Sequence, residues 1–281
     1  MRKAWIFLVS IVLLAPLSAI AGSNDFKLHR LATCAEGTVP GESCIADPDF
    51  AGFDAFSKRM GLVFAPSFLA PADSLGQAGF AIGLETKFAV AAKDESWRAL
   101  NGVDFDTPPL FALMQLHVRK GLPFSLELDG LMSWLIDSEL FYVGGGLKWA
   151  VTEGWWFLPD LAVRGHGGTL VGSPDLNLVN AGFDVSLSYS FGLGGVVNLT
   201  PYAGFSYVWV ISSSRVIDAD PGWGVSPSGA YSPEFVFSQK TQGVPRGFFG
   251  LRFIADYVAV TIEGAMAAEV QTFGVNLGTS F

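Results

Sequence analysis

From Phe80 to the C-terminus, large apolar residues recur at every second position with small or polar residues between them. Such a period belongs to strands that present one face to an apolar medium and the other to a polar one. The first stretch sets Phe80, Ile82, Leu84, Phe88 and Val90 against Gly79, Gly83, Glu85 and Lys87, and the second sets Leu110, Met114, Leu116 and Val118 against Gln115, His117 and Arg119. The third alternates Leu126, Leu128, Met132 and Trp134 with Ser125, Glu127, Asp129 and Ser133. The fourth alternates Phe141, Val143, Leu147 and Trp149 with Tyr142, Gly144, Gly146 and Lys148. A less regular fifth, over about 156–171, collects Asp160, Arg164 and His166 on one side, and the clearest stretch runs from Val179 to Phe191 with Asn180, Asp184, Ser186 and Ser188 opposite. Four more follow around Leu199–Trp209, Phe249–Tyr257, Val258–Met266 and Phe273–Phe281, for about ten strands in all.

Residues 22–76 lack this alternation. Phe50, Phe53, Phe56 and Met60 fall at three- and four-residue spacing and predict a short helix, which Pro66 and Pro71 confine. The segment reads as a periplasmic or lumenal extension of a β-domain over 77–281, with an additional strand between Arg59 and Ala70 as the rival reading.

At the N-terminus, Met1-Arg2-Lys3, an apolar stretch from Ala4 to Leu17 and Ala19-Ile20-Ala21 have the layout of a signal peptide over 1–21, with cleavage expected after Ala21. Removal leaves 15 basic against 26 acidic residues, a net charge of −11, which argues against nucleic acid as a partner. Cys34 and Cys44 are then expected to form a disulfide in an oxidising compartment.

Composition turns the strands toward a membrane. Half of the residues are hydrophobic, 15% are charged and mean hydropathy is +0.40, yet apart from the N-terminus no apolar run reaches the ~18 residues of a spanning helix. The surplus apolar surface must lie along strands. The second, fourth, sixth and eighth connections, near Gly121, Gly154, Gly194 and Asp256, are short, whereas the two long ones, about Ala91–Thr107 and Ser212–Gly243, are both odd-numbered, an asymmetry that periplasmic turns and outer loops give. Trp149, Trp155, Trp156, Tyr189, Phe191 and Tyr257 would mark one membrane boundary, and Trp134, Phe141, Tyr207 and Trp209 the other.

The ending Phe273-Gly274-Val275-Asn276-Leu277-Gly278-Thr279-Ser280-Phe281 resembles the C-terminal strand of bacterial outer-membrane β-barrel proteins, although Thr279 departs from the apolar residue usual there. The resemblance implies an all-β, up-and-down antiparallel transmembrane barrel in the outer membrane, surrounded by its lipid. Phe273, Val275, Leu277 and Phe281 would be read as an assembly signal by the barrel-assembly machinery.

No phosphate-binding loop, nucleophile elbow or metal-binding motif is present, and neither a cofactor nor a metal is expected. The preferred reading is a narrow channel, transporter or structural barrel whose lumen is braced and filled by opposite charges. Counting outward from the turns sets Arg164 against Asp184, Arg252 against Glu263, and Lys148 near Glu127 and Asp129. An enzyme is the alternative. His117 and His166 lie on polar faces, and counting from Gly121 sets His117 beside Ser125 or Glu127 as a candidate general base. A third reading is surface binding through the 212–243 loop, rich in Ser, Pro and aromatics.

Overall fold

The computed structural model describes residues 22, 24–36, 44–100, 109–152, 158–194, 197–221 and 233–280. The expected signal peptide, Trp155, Trp156 and Phe281 lie outside them.

A hairpin of β1 (Ala32–Glu36) and β2 (Cys44–Pro48) leads into α1 (Phe50–Phe64). Ten strands then form a closed ring: β3 (Phe80–Ala91), β4 (Leu110–Leu122), β5 (Leu126–Leu135), β6 (Phe141–Ala150), β7 (Asp160–Val171), β8 (Leu176–Ser188), β10 (Val197–Ser214), β13 (Lys240–Ala255), β14 (Val258–Ala267) and β15 (Val270–Ser280). All neighbours are antiparallel, and β15 pairs back onto β3 from Val270↔Ala91 to Ser280↔Ala81. Short β9 (Phe191–Leu193) extends the sheet beside the start of β10, and β11 (Ile217–Asp218) pairs with β12 (Glu234–Phe235) inside a long loop. The loop between the two strands is 215–239, of which 215–221 and 233–239 are described, shorter than the expected 212–243 because β10 and β13 pair as far as Ser212↔Lys240.

Strand faces follow the sequence pattern. Leu84, Leu110, Phe249 and Leu277 are each about 60% exposed on the outer face, while Glu85, Lys87, Glu127 and Lys148 are no more than 2% exposed inside. A soluble sandwich would reverse this arrangement. Aromatic residues flank the apolar belt, with exposed Trp149, Tyr189, Phe191 and Tyr257 near the short turns and the stacked Trp134–Phe141 pair and Trp209 toward the long loops.

Helix α1 occupies the long-loop half of the lumen. Asp49 caps it by accepting the Gly52 amide at 2.8 Å, and the helix ends at the residue pair Ala65-Pro66, where proline forbids continuation. Phe53, Phe56, Met60, Leu62, Val63 and Phe64 are all buried; every residue from Arg59 to Phe64 is enclosed by the ring, while the first turn keeps Phe50 and Ala51 exposed at the mouth. They share an apolar cluster with wall residues Leu113, Leu135, Tyr142, Leu178, Val208 and Val210. Above the mouth the cluster continues into a cap: Phe26 meets Phe56, and Phe53 stacks on Phe237 with ring centroids 4.3 Å apart. Residues 65–79 then descend to the short-turn end, where β3 begins. The rival strand over 59–70 is therefore absent: Arg59–Phe64 is helix and 65–70 joins no ladder.

Two registers differ from those counted along the sequence. The β4–β5 turn is Pro123-Phe124-Ser125, with Phe124 and Ser125 at φ 64° and 56°, so β4 continues through Gly121 to Leu122 and His117 pairs with Leu131. Gly121 marks a close approach instead of a turn, since a Cβ there would lie 1.8 Å from the Gly76 carbonyl oxygen. At the β13–β14 turn, Asp256-Tyr257 alone forms the bend, with Asp256 at φ 53°, so Arg252 pairs with Thr261 and Glu263 with Gly250.

Candidate functional site

Below α1 the lumen changes from apolar to charged, and the wall grips the descending segment mainly through its backbone. Lys87 Nζ donates to the Ala65 carbonyl at 2.8 Å and Arg246 Nη2 to the Pro66 carbonyl at 2.7 Å. Lys148 Nζ donates to the carbonyls of Asp73 at 2.8 Å and Pro71 at 3.3 Å, while lying 3.0 Å from Glu127 Oε1. The other Glu127 oxygen accepts the Leu75 amide at 3.1 Å, and Ser188 Oγ accepts that of Ala72 at 3.1 Å. Arg252 pairs with the Asp73 carboxylate.

The wall charges also meet one another. Arg164 Nε lies 3.3 Å from Asp129, and its Nη1 lies 3.9 Å from Asp184, the residue directly across the β7–β8 ladder. Lys148 likewise sits opposite Glu127, while Asp129 is opposite Gly146 and reaches His117 Nε2 at 3.3 Å. Arg252 and Glu263 do not meet as counted; Glu263 instead accepts the Tyr202 hydroxyl at 2.8 Å. Phe68, from the descending segment, enters this layer. The Arg164 guanidinium stands 4.2 Å over its ring, and His117 and His166 flank it, each with ring centroids 5.6 Å away.

Charged side chains thus line the inside of a closed ring whose outside is apolar, the inverse of a water-soluble protein. Backbone polar groups in lipid must be satisfied within the structure, and ring closure does this by leaving no sheet edge. The architecture is that of the outer-membrane β-barrels. Both ends of the ring, Phe80 and Ser280, lie on the short-turn side.

No protein-family model matches the sequence, and no curated protein does. Among solved structures, the chain is similar to the KdgM porin in complex with disordered oligogalacturonate (7% identity, 72% of this chain and 99% of that chain, TM-score 0.35). It is also similar to Ail, the attachment invasion locus protein of Yersinia pestis (12% identity, 73% and 99%, TM-score 0.26), and to the transport unit of the autotransporter AIDA-I from Escherichia coli (9% identity, 81% and 97%, TM-score 0.37). Likenesses this distant assign no activity to the barrel.

The hydrolytic alternative loses its proposed geometry. His117 Nδ1 faces Glu85 Oε1 at 3.0 Å and its Nε2 faces Asp129, so both ring nitrogens meet carboxylates and neither meets a hydroxyl nucleophile. Ser125 is in the turn, and Glu127 is committed to Lys148 and the Leu75 amide. His166 Nε2 lies 3.3 Å from Asp184. In the 212–243 stretch, Ser212 donates to Ser57 at 3.0 Å and Phe237 is fully buried against α1, while Trp223 and Tyr231 lie outside the described residues. Cys34 and Cys44 fall on paired strands, Cys34 opposite Ala46 and Cys44 opposite Glu36; their side chains lie outside the description, and the disulfide with them.

Sequence reading passed over Asp73, Arg246 and Tyr202. Arg246 and Tyr202 share the inward period of Arg252 and Thr200, a signal available in the alternation, whereas Asp73 lies in an irregular segment with no period to mark it.

At the long-loop mouth an ionic latch holds α1. Arg59 reaches Asp94 at 2.9 Å and Glu269 at 2.9 Å, and Lys58 also pairs with Glu269. Burial raises the Asp94 carboxyl, but hydrogen bonds from Arg59 and Ser96 outweigh it and hold it below its ordinary 3.8. A depressed folded-state value stabilises above the unfolded value and is lost as pH falls through the folded one, so protection of α1 against proteolysis is expected to be constant at neutral pH and to fall below about pH 4. Arg59→Gln should lower the neutral plateau and flatten that acid limb; an unchanged profile would exclude the latch.

Proposed function

We propose that this outer-membrane barrel, exported by a signal peptide cleaved after Ala21 and inserted by the barrel-assembly machinery, is a conduit closed at rest by its own residues 50–79. The observation that carries this reading is the character of the grip: Lys87, Lys148, Arg246 and Arg252 hold the descending segment through its carbonyls and one carboxylate. Water can replace each of those partners. Around α1 the apolar side chains have no such substitute, because exposing them costs about 25 cal/mol per Å², so it is the charged half of the lumen that can exchange its closing contacts for water.

Planar-bilayer recordings test it. Full-length protein should give no steady open-pore current, and a variant lacking residues 50–76, shown to be folded by its altered migration when unheated in a detergent gel, should give one. Ohmic current from the full-length barrel would overturn the closed state, and a folded but silent deletion would overturn the conduit.

A further inference from the structure

At the short-turn end, the descending segment leaves a cavity of about 230 Å³ beside Asp73, lined also by Ser74, His117, Arg119, Arg252 and Asn276. Asp73 is the segment's contribution to a cationic socket. Its carboxylate pairs with Arg252, its carbonyl accepts from Lys148 at 2.8 Å, and Arg119 stands on the same cavity wall. The two arginines differ in commitment. The Arg252 side chain is 6% exposed and engaged by Asp73, whereas Arg119 is 13% exposed and its anionic neighbour, Glu127, is 3.6 Å away and already held by Lys148 at 3.0 Å. The Asp73 side chain keeps 25% exposure and lines the cavity, and its Oδ1 is buried without a hydrogen-bond partner among the described residues.

A planar guanidinium binds carboxylate or phosphate through paired donors, and two of them around one small cavity select a compact anion with at least two oxygens. We propose that this socket is a binding site for a small carboxylate or phosphate anion arriving from the periplasmic side, and that Asp73 occupies it as an internal competitor. The incoming anion takes the place of the Asp73 carboxylate on Arg252, gains Arg119, and thereby removes a side-chain anchor of the closing segment. This second consequence rests on the conduit reading; the site itself does not.

Calorimetric titration of the folded, full-length barrel with succinate and with inorganic phosphate, at constant ionic strength in chloride, tests the site. Asp73→Asn removes the competitor's charge and should tighten binding of at least one probe about tenfold, a factor equal to ~1.4 kcal/mol. Arg119→Gln should weaken it by a similar factor, and Arg119→Lys should recover part of the loss. Arg98→Gln, at the opposite mouth where Arg98 pairs with Asp49 at 2.6 Å, should change nothing. Absence of binding to Asp73→Asn, or binding indifferent to both Arg119→Gln and Asp73→Asn, would overturn the proposal. Binding that follows these substitutions while saturating anion opens no current would leave the site standing and count against the conduit. Current from the 50–76 deletion with no anion bound by the full-length chain would do the reverse.

Discussion

Lys148→Ala is expected to destabilise the barrel by ~3–5 kcal/mol, because it strips a buried carboxylate of its nearest cation, the next being Arg119 at 3.6 Å. Glu127 is fully buried and Lys148 is 1% exposed, so water does not reach the pair freely. The same ammonium also serves the Asp73 and Pro71 carbonyls, so one substitution strips three acceptors. Urea unfolding in detergent or lipid, followed by tryptophan fluorescence, measures the loss. The double variant Lys148→Met, Glu127→Gln should lose less than Lys148→Ala alone, since the fully buried carboxylate is removed together with its cation. A loss under ~1 kcal/mol for Lys148→Ala is the size of an exposed ion pair and would show that the network is solvated.

Phe56→Ala should act on the contents and spare the wall. Phe56 is fully buried between Phe26 and Trp97, with ring centroids 5.3 and 5.8 Å away, and large-to-small changes at such sites cost ~3–5 kcal/mol. None of that contact belongs to the strand ladders. The expected result is faster amide hydrogen exchange and proteolysis over residues 50–64, with the unheated gel mobility of the barrel retained. Exchange that rises equally in β3–β15 would mean that α1 and the ring unfold as one unit.

The ring was legible because period-2 alternation states which side chains face lipid and which face inward, and Glu85, Glu127, Lys148, Arg164 and Asp184 all lie inside as that period requires. Register depends on turn geometry, which the sequence marks less clearly. The β7–β8 loop, with Gly172 at φ 97°, gave Arg164↔Asp184, and the β5–β6 turn, with Asp137 at φ 60°, gave Lys148↔Glu127, whereas the turns at Phe124-Ser125 and Asp256 displaced the counts for His117 and Arg252. Helix α1 showed its period, but its place inside the ring did not follow from it: an apolar stripe would serve equally against any surface. Asp73 and the carbonyls of Ala65, Pro66 and Pro71 had no pattern at all, because a backbone acceptor carries no side-chain signature.

The position of the contents relative to the ladder has a mechanical consequence. Residues 50–79 join no ladder of the ring; their backbone meets it at Gly79, whose carbonyl accepts the Gly121 amide at 2.9 Å, and they are joined to it covalently only through Phe80. Tension applied at the long-loop mouth to the chain preceding α1 would therefore be borne by side-chain contacts, the latch of Arg59 and the tether at 65–79, and would reach the hydrogen-bonded wall only when that tether was taut. The barrel is in this sense a sleeve with a separate core: one end is held at the mouth by the bonds of Asn24 and Lys27 to Asp137 and Ala99, and the other is anchored at the foot of its first strand.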